Sequence, residues 1–335
     1  MTERLTGAAA RLAETLLGPP EFTRVEIAAA AGIEVAHARR LWQGLGFPPV
    51  ADDARVFSRA DGEVLVAVRA LLDERGTPEA LTVQQARVIG QALARVADAQ
   101  VTATLDNALA HRGGESADGA ALEAALQAIE AQLPTFEGFV RHAWRRHLVA
   151  AVLRLAAAPA AGDRVCVIGF ADLAGFTPLS SSLDSAELAA AVDRFEAVAY
   201  EHILGGGGRV VKTIGDEVMF AADEPAAAAA IALALAEAYT RDPDLPEARL
   251  GLAFGPVVAW EGDLFGPTVN LASRLVNFAR PGTVLLAEDL GAALHDLPAF
   301  TLRHLRPVKL KGIGAVRAWV LRRGAADPPA DGGER

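Results

Sequence analysis

Several things are scarce in this chain of 335 residues, and each scarcity removes a class of explanation. There is one cysteine, Cys166, inside a strand-like run. It excludes disulfides and cysteine-ligated metal within a single chain and reads as a small core residue. Lysine occurs only at positions 212, 309 and 311, which leaves 29 of the 32 cationic side chains to arginine. A basic surplus is missing too. Residues 1–160 hold 16 cationic against 19 acidic side chains, and residues 161–335 hold 16 against 23, so the halves carry −3 and −7. Neither half is suited to a nonspecific grip on nucleic acid. Long apolar runs are absent: the longest, Ala226 to Ala236, is alanine-rich and too short to span a bilayer. No apolar core follows the opening Met-Thr-Glu-Arg, so no signal peptide is expected and the chain reads as cytoplasmic and soluble.

What is present is alanine and alternation. Hydrophobic residues make up 52% of the chain, an excess that is mostly alanine rather than long aliphatics, and the length suffices for two domains with real cores. Residues 1–158 read as helical. Thr23 to Trp42 has a helix, a glycine turn and a second helix, with apolar spacing at Ile27, Ala30, Ile33, Val35 and Leu41 that fits a small helix-turn-helix. A long helix is predicted from Thr82 to His111 and another from Ala120 to Ala158, with Pro134 as its candidate break. Arg112 to Gly119 links them.

Residues 159–163 form a linker, and from Arg164 strands and helices alternate. The expected order is a strand (164–170), a helix (185–204), a hairpin (209–222), a helix (225–239) and a strand pair (248–254 and 257–261). A helix (268–278), a strand (283–287), a short helix near Gly291 and a last strand pair (300–305 and 315–321) follow. The β-α-β-β-α-β core of that order predicts an α+β fold, a ferredoxin-like α/β sandwich with additions, preceded by an all-α domain. The tail, residues 323–335, is rich in Pro, Gly and acid and reads as disordered from Ala325.

The chemistry concentrates in two aspartates. Asp172 lies in Phe170-Ala-Asp-Leu-Ala-Gly-Phe-Thr177, after the first strand and before a turn that opens a helix. Asp216 lies in Lys212-Thr-Ile-Gly-Asp-Glu217, in a two-residue Gly-containing loop that reads as a tight hairpin. A hairpin beside the first strand brings both carboxylates to one end of a sheet. Two hard oxygen ligands near the amides of a helix start suit Mg²⁺ or Mn²⁺ and a polyphosphate. Taken singly, Asp172 would serve as a helix cap and Asp216 as a turn former.

Residues 164–322 resemble the class III nucleotidyl cyclase catalytic domain, several separated motifs matching in order. The resemblance implies that Asp172 and Asp216 hold two Mg²⁺ or Mn²⁺ ions per site. Two cations roughly 4 Å apart stabilise attacking and leaving oxygens in such a displacement. It implies that Lys212 and Asp263, the latter in Gly262-Asp-Leu-Phe-Gly266, read adenine and so select ATP over GTP. In Thr268-Val-Asn-Leu-Ala-Ser-Arg-Leu275 it assigns Asn270 to the ribose and Arg274 to charge developing at the α-phosphate. Lys311 is the match for the terminal phosphates, with Lys309 the alternative, and Gly175, Phe176 and Thr177 complete the substrate-binding set. Since the family's metal aspartates and its remaining site residues come from different subunits, a head-to-tail homodimer is implied. The implied reaction is ATP to 3′,5′-cyclic AMP and pyrophosphate.

The helical half, 1–158, resembles the autoinhibitory regulatory domain of mycobacterial pH-responsive adenylyl cyclases. His142 and His147, in Arg141-His-Ala-Trp-Arg-Arg-His147, are its candidate pH-sensing groups. Two readings from other classes stand beside this one. A catalytically silent nucleotide-binding scaffold would have no need of both metal aspartates. A transcription regulator would use Arg39, Arg40 and Arg59 of the helix-turn-helix on phosphates, as in the front of MerR-type regulators.

Overall fold

The computed structural model describes residues 2–111, 119–157 and 164–324; the expected linker 112–119 lies outside them except for Gly119, which opens a helix, and the linker 159–163 and the tail from 325 lie outside them as well. The chain divides into two compact units, 1–157 and 158–335. The first is helical: α1 (Thr2–Leu17), α2 (Arg24–Ala31), α3 (Val35–Gly44), α4 (Arg59–Arg75), α5 (Glu79–Ala110) and α6 (Gly119–Ala157). Local chemistry sets these limits. Thr23 with Glu26, and Ser58 with Asp61, form capping boxes at the starts of α2 and α4. Gly32, at φ 67°, supplies the left-handed residue that turns α2 into α3. The helix-turn-helix of 23–42 is therefore present, on a core of Ala28, Ala31, Ile33 and Ala38. Ala30, expected in that core, is exposed; Ala28 and Ala31 take its place. Pro134 does not break α6, which runs through it.

The second unit is a mixed sheet with helices on both faces. Its strands are β1 (Arg164–Leu173), β2 (Arg209–Ile214), β3 (Glu217–Ala222), β4 (Ala248–Trp260), β5 (Asp263–Phe265), β6 (Val284–Ala287), β7 (Phe300–His304), β8 (Val308–Leu310), β9 (Gly314–Val316) and β10 (Ala318–Arg323). Its helices are α7 (Phe176–Ser180), α8 (Ser185–Gly205), α9 (Pro225–Arg241), α10 (Pro267–Phe278) and α11 (Glu288–Leu294). The main sheet runs β2-β3-β1-β4-β6-β10-β7. The first four strands pair antiparallel in the order of a ferredoxin-like sandwich, as expected. The remaining three extend the far edge.

Three expectations change in detail. β1 runs to Leu173, so Asp172 is a strand residue rather than a loop residue. The expected pair at 248–254 and 257–261 is one strand of 13 residues. Gly255-Pro256 looks like a break, but β6 covers only Leu250 to Leu252 of β4. Beyond that point β4 has an open side where a missing N–H costs no ladder bond. The expected strand at 315–321 divides at Arg317 between the β8–β9 hairpin and β10.

Strand alternation separates two cores. Val167, Ala171, Phe220, Leu250 and Leu252 pack under α8 and α9, while Ile168, Phe170, Met219 and Ala253 pack with Ala272, Leu275 and Val276 of α10. α10 lies very close to β4. A Cβ on Gly251 would stand 2.2 Å from the backbone N of Val276 and 2.7 Å from the carbonyl oxygen of Ala272. Thr268 Oγ1 donates to the Pro256 carbonyl at 2.7 Å and fixes the start of the helix. Only glycine fits at 251. Gly251→Ala should therefore lower stability by about 3 kcal/mol in urea unfolding of the full chain, as overpacking against backbone does. An unchanged urea midpoint would contradict this packing.

Candidate active site

β1 is an interior strand, paired with β3 on one side and β4 on the other, and its register builds the site. Asp172 stands level with Glu217 of β3 on one side and Arg249 of β4 on the other. With side chains alternating along each strand, the row Glu217, Asp172, Arg249 faces the α10 side of the sheet. Asp172 is only 9% exposed, and Arg249 Nε donates to its Oδ2 at 2.5 Å. Burial pushes the Asp172 carboxyl above its ordinary value; the Arg249 hydrogen bond and charge pull it back, and Asp216 pushes it up again. Asp172 does not cap the helix that follows. The residue heading α7 is Gly175, at φ 81°, without a side-chain cap.

Asp216 follows Gly215, at φ 62°, in the β2–β3 turn, and its carbonyl accepts the Leu173 N–H at 3.1 Å. That bond fastens the turn to the end of β1. Both aspartates thus stand at the same end of the sheet. Beside them burial, then the charges of Asp172 and Asp216, raise Glu217 to about 6. Three carboxylates share a half-buried corner.

Among the described residues no three His, Cys, Asp or Glu side chains are grouped to enclose a metal ion. Two carboxylates fit a hard dication that keeps waters and shares substrate oxygens, as Mg²⁺ does, better than a closed protein cage. The upward push on Asp172 and Glu217, from burial first and then from the neighbouring carboxylate charges, is the electrostatic mark of a place suited to positive charge.

Lys212 of β2 and Asp263 of β5 form an ion pair, their side chains 35% and 26% exposed. Asp263 Oδ1 also accepts its neighbour's N–H, from Leu264, at 2.7 Å. Asn270 and Arg274 lie four apart on α10 and are both exposed. Among the described residues neither side chain has a hydrogen-bond or ion-pair partner in the chain, the two aspartates included. Lys309 is on β8 and Lys311 in the turn after it, both exposed. Phe176 is 7% exposed and packs in the core, so its ring anchors the turn and only its backbone is left to face a ligand. Thr177 is exposed, and its carbonyl accepts from Ser180 and Ser181 Oγ at 2.9 and 3.1 Å. The structure therefore brings together Asp172 with Asp216 and Lys212 with Asp263, and leaves Asn270, Arg274 and Lys311 on open surface.

Arg249 and Glu217 were not singled out by sequence. Glu217 was visible as the first residue after a predicted turn, and Arg249 as the second of a predicted strand. Only the register makes them neighbours of Asp172. The chemistry does not sit in the apolar cavity of about 440 Å³ in the helical unit, lined by Ile27, Leu41, Trp42 and Phe57 among others. No helix among the described residues is long and apolar enough to cross a membrane.

Comparison with known proteins gives a consistent answer. The family described as the adenylate and guanylate cyclase catalytic domain matches residues 158–323, and the adenylate cyclase regulatory domain matches 7–148. An adenylate cyclase of Glutamicibacter nicotianae is 33% identical over 96% of this chain and 84% of its own length. One from Streptomyces coelicolor is 34% identical over 94% of this chain and 90% of its own. A pH-sensitive adenylate cyclase of Mycobacterium tuberculosis is 33% identical over 90% of this chain and 78% of its own.

The raised Glu217 carboxyl has a consequence for stability. Its folded value of about 6 lies above the ordinary 4.5, so between the two the folded state binds more protons than the unfolded. The contribution is full below the lower value and lost as pH rises through the upper one. With a chelator present, Glu217→Gln should match the parent in urea at pH 4 and exceed it by about 1 kcal/mol at pH 7.5, after allowance for solvent screening. A difference that stays constant with pH would show that another group is responsible.

Proposed function

Because the chain belongs to the adenylate cyclase family, we propose that it converts ATP to 3′,5′-cyclic AMP and pyrophosphate at sites built by two copies of itself. The observation that carries this reading is the β2–β3 hairpin, which holds the metal-ligand candidate Asp216 and, four residues away, Lys212 paired to Asp263. Lys212 donates to adenine N1, and Asp263 accepts from the exocyclic amine. Guanine presents the reverse pattern at both positions, so the pair rejects it. Bound at Asp172 and Asp216, Mg²⁺ or Mn²⁺ would polarise the α-phosphate and lower the pKa of the ribose 3′-hydroxyl. The 3′-hydroxyl gives up its proton to solvent, its oxygen attacks the α-phosphorus, the bond from that phosphorus to the bridging oxygen breaks, and pyrophosphate leaves. Asn270 orients the ribose. Arg274, planar and permanently charged, stabilises the negative charge gathering at the α-phosphate. Lys311 and the backbone of Gly175 to Thr177 hold the terminal phosphates.

Dimerisation is supported by what one copy leaves undone. Asn270 and Arg274 are exposed and unengaged, while Asp172 and Asp216 are already tied to their own sheet. Val258, Trp260 and Phe265, on the β4–β5 arm, add exposed apolar surface, 48–58% accessible. In a head-to-tail pair each copy gives its aspartates to one site and its Lys212, Asp263, Asn270 and Arg274 to the other. Asp172→Asn and Arg274→Ala chains should each lose at least about a hundredfold in cyclic AMP formation. Mixed one to one, they should recover about a quarter of parental activity, because half the dimers then hold one intact site. Failure of the mixture to recover, with exchange of subunits demonstrated, would refute the shared site.

For the helical unit we propose control of the catalytic unit, with acid as the signal. The match to a regulatory domain and the pH-sensitive relative support it. His142 and His147 are exposed on α6. His37 is the better placed histidine: it is 1% exposed, its Nε2 lies 3.1 Å from Thr82 Oγ1, and Glu79 Oε1 lies 3.6 Å from Nδ1. Burial holds its pKa below the ordinary value, against the opposing pull of Glu79. Acid must therefore force a proton into the α3–α5 contact. His37→Gln should flatten the activity profile between pH 5.5 and 7, whereas His142→Gln with His147→Gln should leave it unchanged; the opposite pattern would return the role to α6. The transcription-regulator reading is not favoured. In α3, Arg39 is committed to Asp52, and Arg40 to Glu79 at 2.7 Å.

A further inference from the structure

The ion pair between Arg249 and Asp172 asks for an explanation that the reaction alone does not supply. Three carboxylates, Asp172, Asp216 and Glu217, stand within electrostatic reach of one another. Among the described residues Arg249 and Lys212 oppose the charge at Glu217, Arg249 opposes that at Asp172, and Lys212 is already engaged by Asp263. Arg249 is thus the cation in direct contact with the row. Its side chain is 31% exposed and that of Asp172 only 12%, so water does little to neutralise the aspartate if the guanidinium departs. The register pins both residues at the same level of adjoining strands, and the contact is direct, from Nε to Oδ2 at 2.5 Å.

A guanidinium on Oδ2 and a dication on the same carboxylate would be like charges a few ångströms apart in a poorly hydrated corner. They compete for one anion. We infer that Arg249 is a placeholder for the cation: it occupies Asp172 in the cation-free enzyme, and a divalent ion binds there only as the guanidinium withdraws. This rests on the reading of Asp172 and Asp216 as the cation ligands. The arrangement keeps the buried carboxylate paired at every stage and holds down the affinity for a bare cation. Arg249 is in this sense a positioning residue, acting on the cation through Asp172.

The test is Mn²⁺ binding to the nucleotide-free full-length chain at pH 8, read from the electron paramagnetic resonance signal of the free aquo ion. Arg249→Gln should bind Mn²⁺ about tenfold more tightly than the parent, because the competing charge is gone. Arg249→Lys, which keeps the charge, should stay within about twofold of the parent. Equal or weaker binding by Arg249→Gln would overturn the placeholder and make Arg249 a support for the ligand instead. Asp172→Asn separates the two levels of the argument. If it binds Mn²⁺ as the parent does, the ligand assignment itself fails. If it loses binding while Arg249→Gln gains nothing, only the placeholder fails. A second measurement uses the unaltered chain, in case Arg249→Gln does not fold. The Arg249 Nε–H resonance, assigned by its disappearance in Arg249→Lys, should shift when Mg²⁺ is added to saturation without nucleotide. A resonance that stays in place at saturation would also overturn the inference.

Discussion

A carboxylate buried in the middle of a sheet is the constraint on which the catalytic unit turns. Central strands normally carry apolar residues on both faces, and β1 does so from Cys166 to Ala171 before placing Asp172 at the same depth. A charge there must be matched by its neighbours in the ladder. Glu217 and Arg249 are those neighbours, one adding to the negative charge and one offsetting it. The strand order follows from the same demand. Only a strand flanked by both the β2–β3 hairpin and β4 can present Asp172, Asp216 and a compensating cation together.

The rest of the unit serves to hold that corner still. α8 and α9 cover one face with an apolar layer, which frees the other for α10 and the polar row. Gly251 lets α10 approach β4 to backbone contact, so the helix bearing Asn270 and Arg274 is set by packing rather than by a flexible loop. The β4–β5 turn is tight enough to put Glu261 at φ 52°, a left-handed conformation that a side chain rarely adopts. That turn is what returns Asp263 to lie against Lys212.

Much of this was legible in the sequence, for identifiable reasons. A Gly-Asp loop between two six-residue strand-like runs specifies its own hairpin, and the observed pairing of Ile214 with Glu217 follows from it. The glycine turn expected between the two helices of 23–42 was legible too, and Gly32 supplies it. Arg249 and Glu217 escaped because their importance is relational. Neither belongs to a spacing pattern, and both matter only through residues about 77 and 45 positions from them that register makes adjacent. The single long β4 was hidden for a similar reason, since the harmlessness of Pro256 depends on how far another strand extends. In the helical unit the sequence displayed a helix-turn-helix with arginines where a nucleic-acid reader would have them. It did not display that Asp52 and Glu79 fold back onto those arginines.

On the proposed reading, in which Lys212 and Asp263 contact the base, their pairing would bear on discrimination in a way that goes beyond shape. In the absence of a base the two groups satisfy each other, so the pocket carries no unfilled valence that any passing nucleotide could answer. Entry is an exchange rather than an addition: a base must supply both an acceptor for the ammonium and a donor for the carboxylate to leave the total no worse than before. A base that offers only one, or offers them reversed, is opposed by the pair's own stability. If Lys212 and Asp263 read the base as proposed, the pair would serve as a standing reference for every nucleotide, and fidelity would be set by how much better adenine does than the lysine and aspartate do alone.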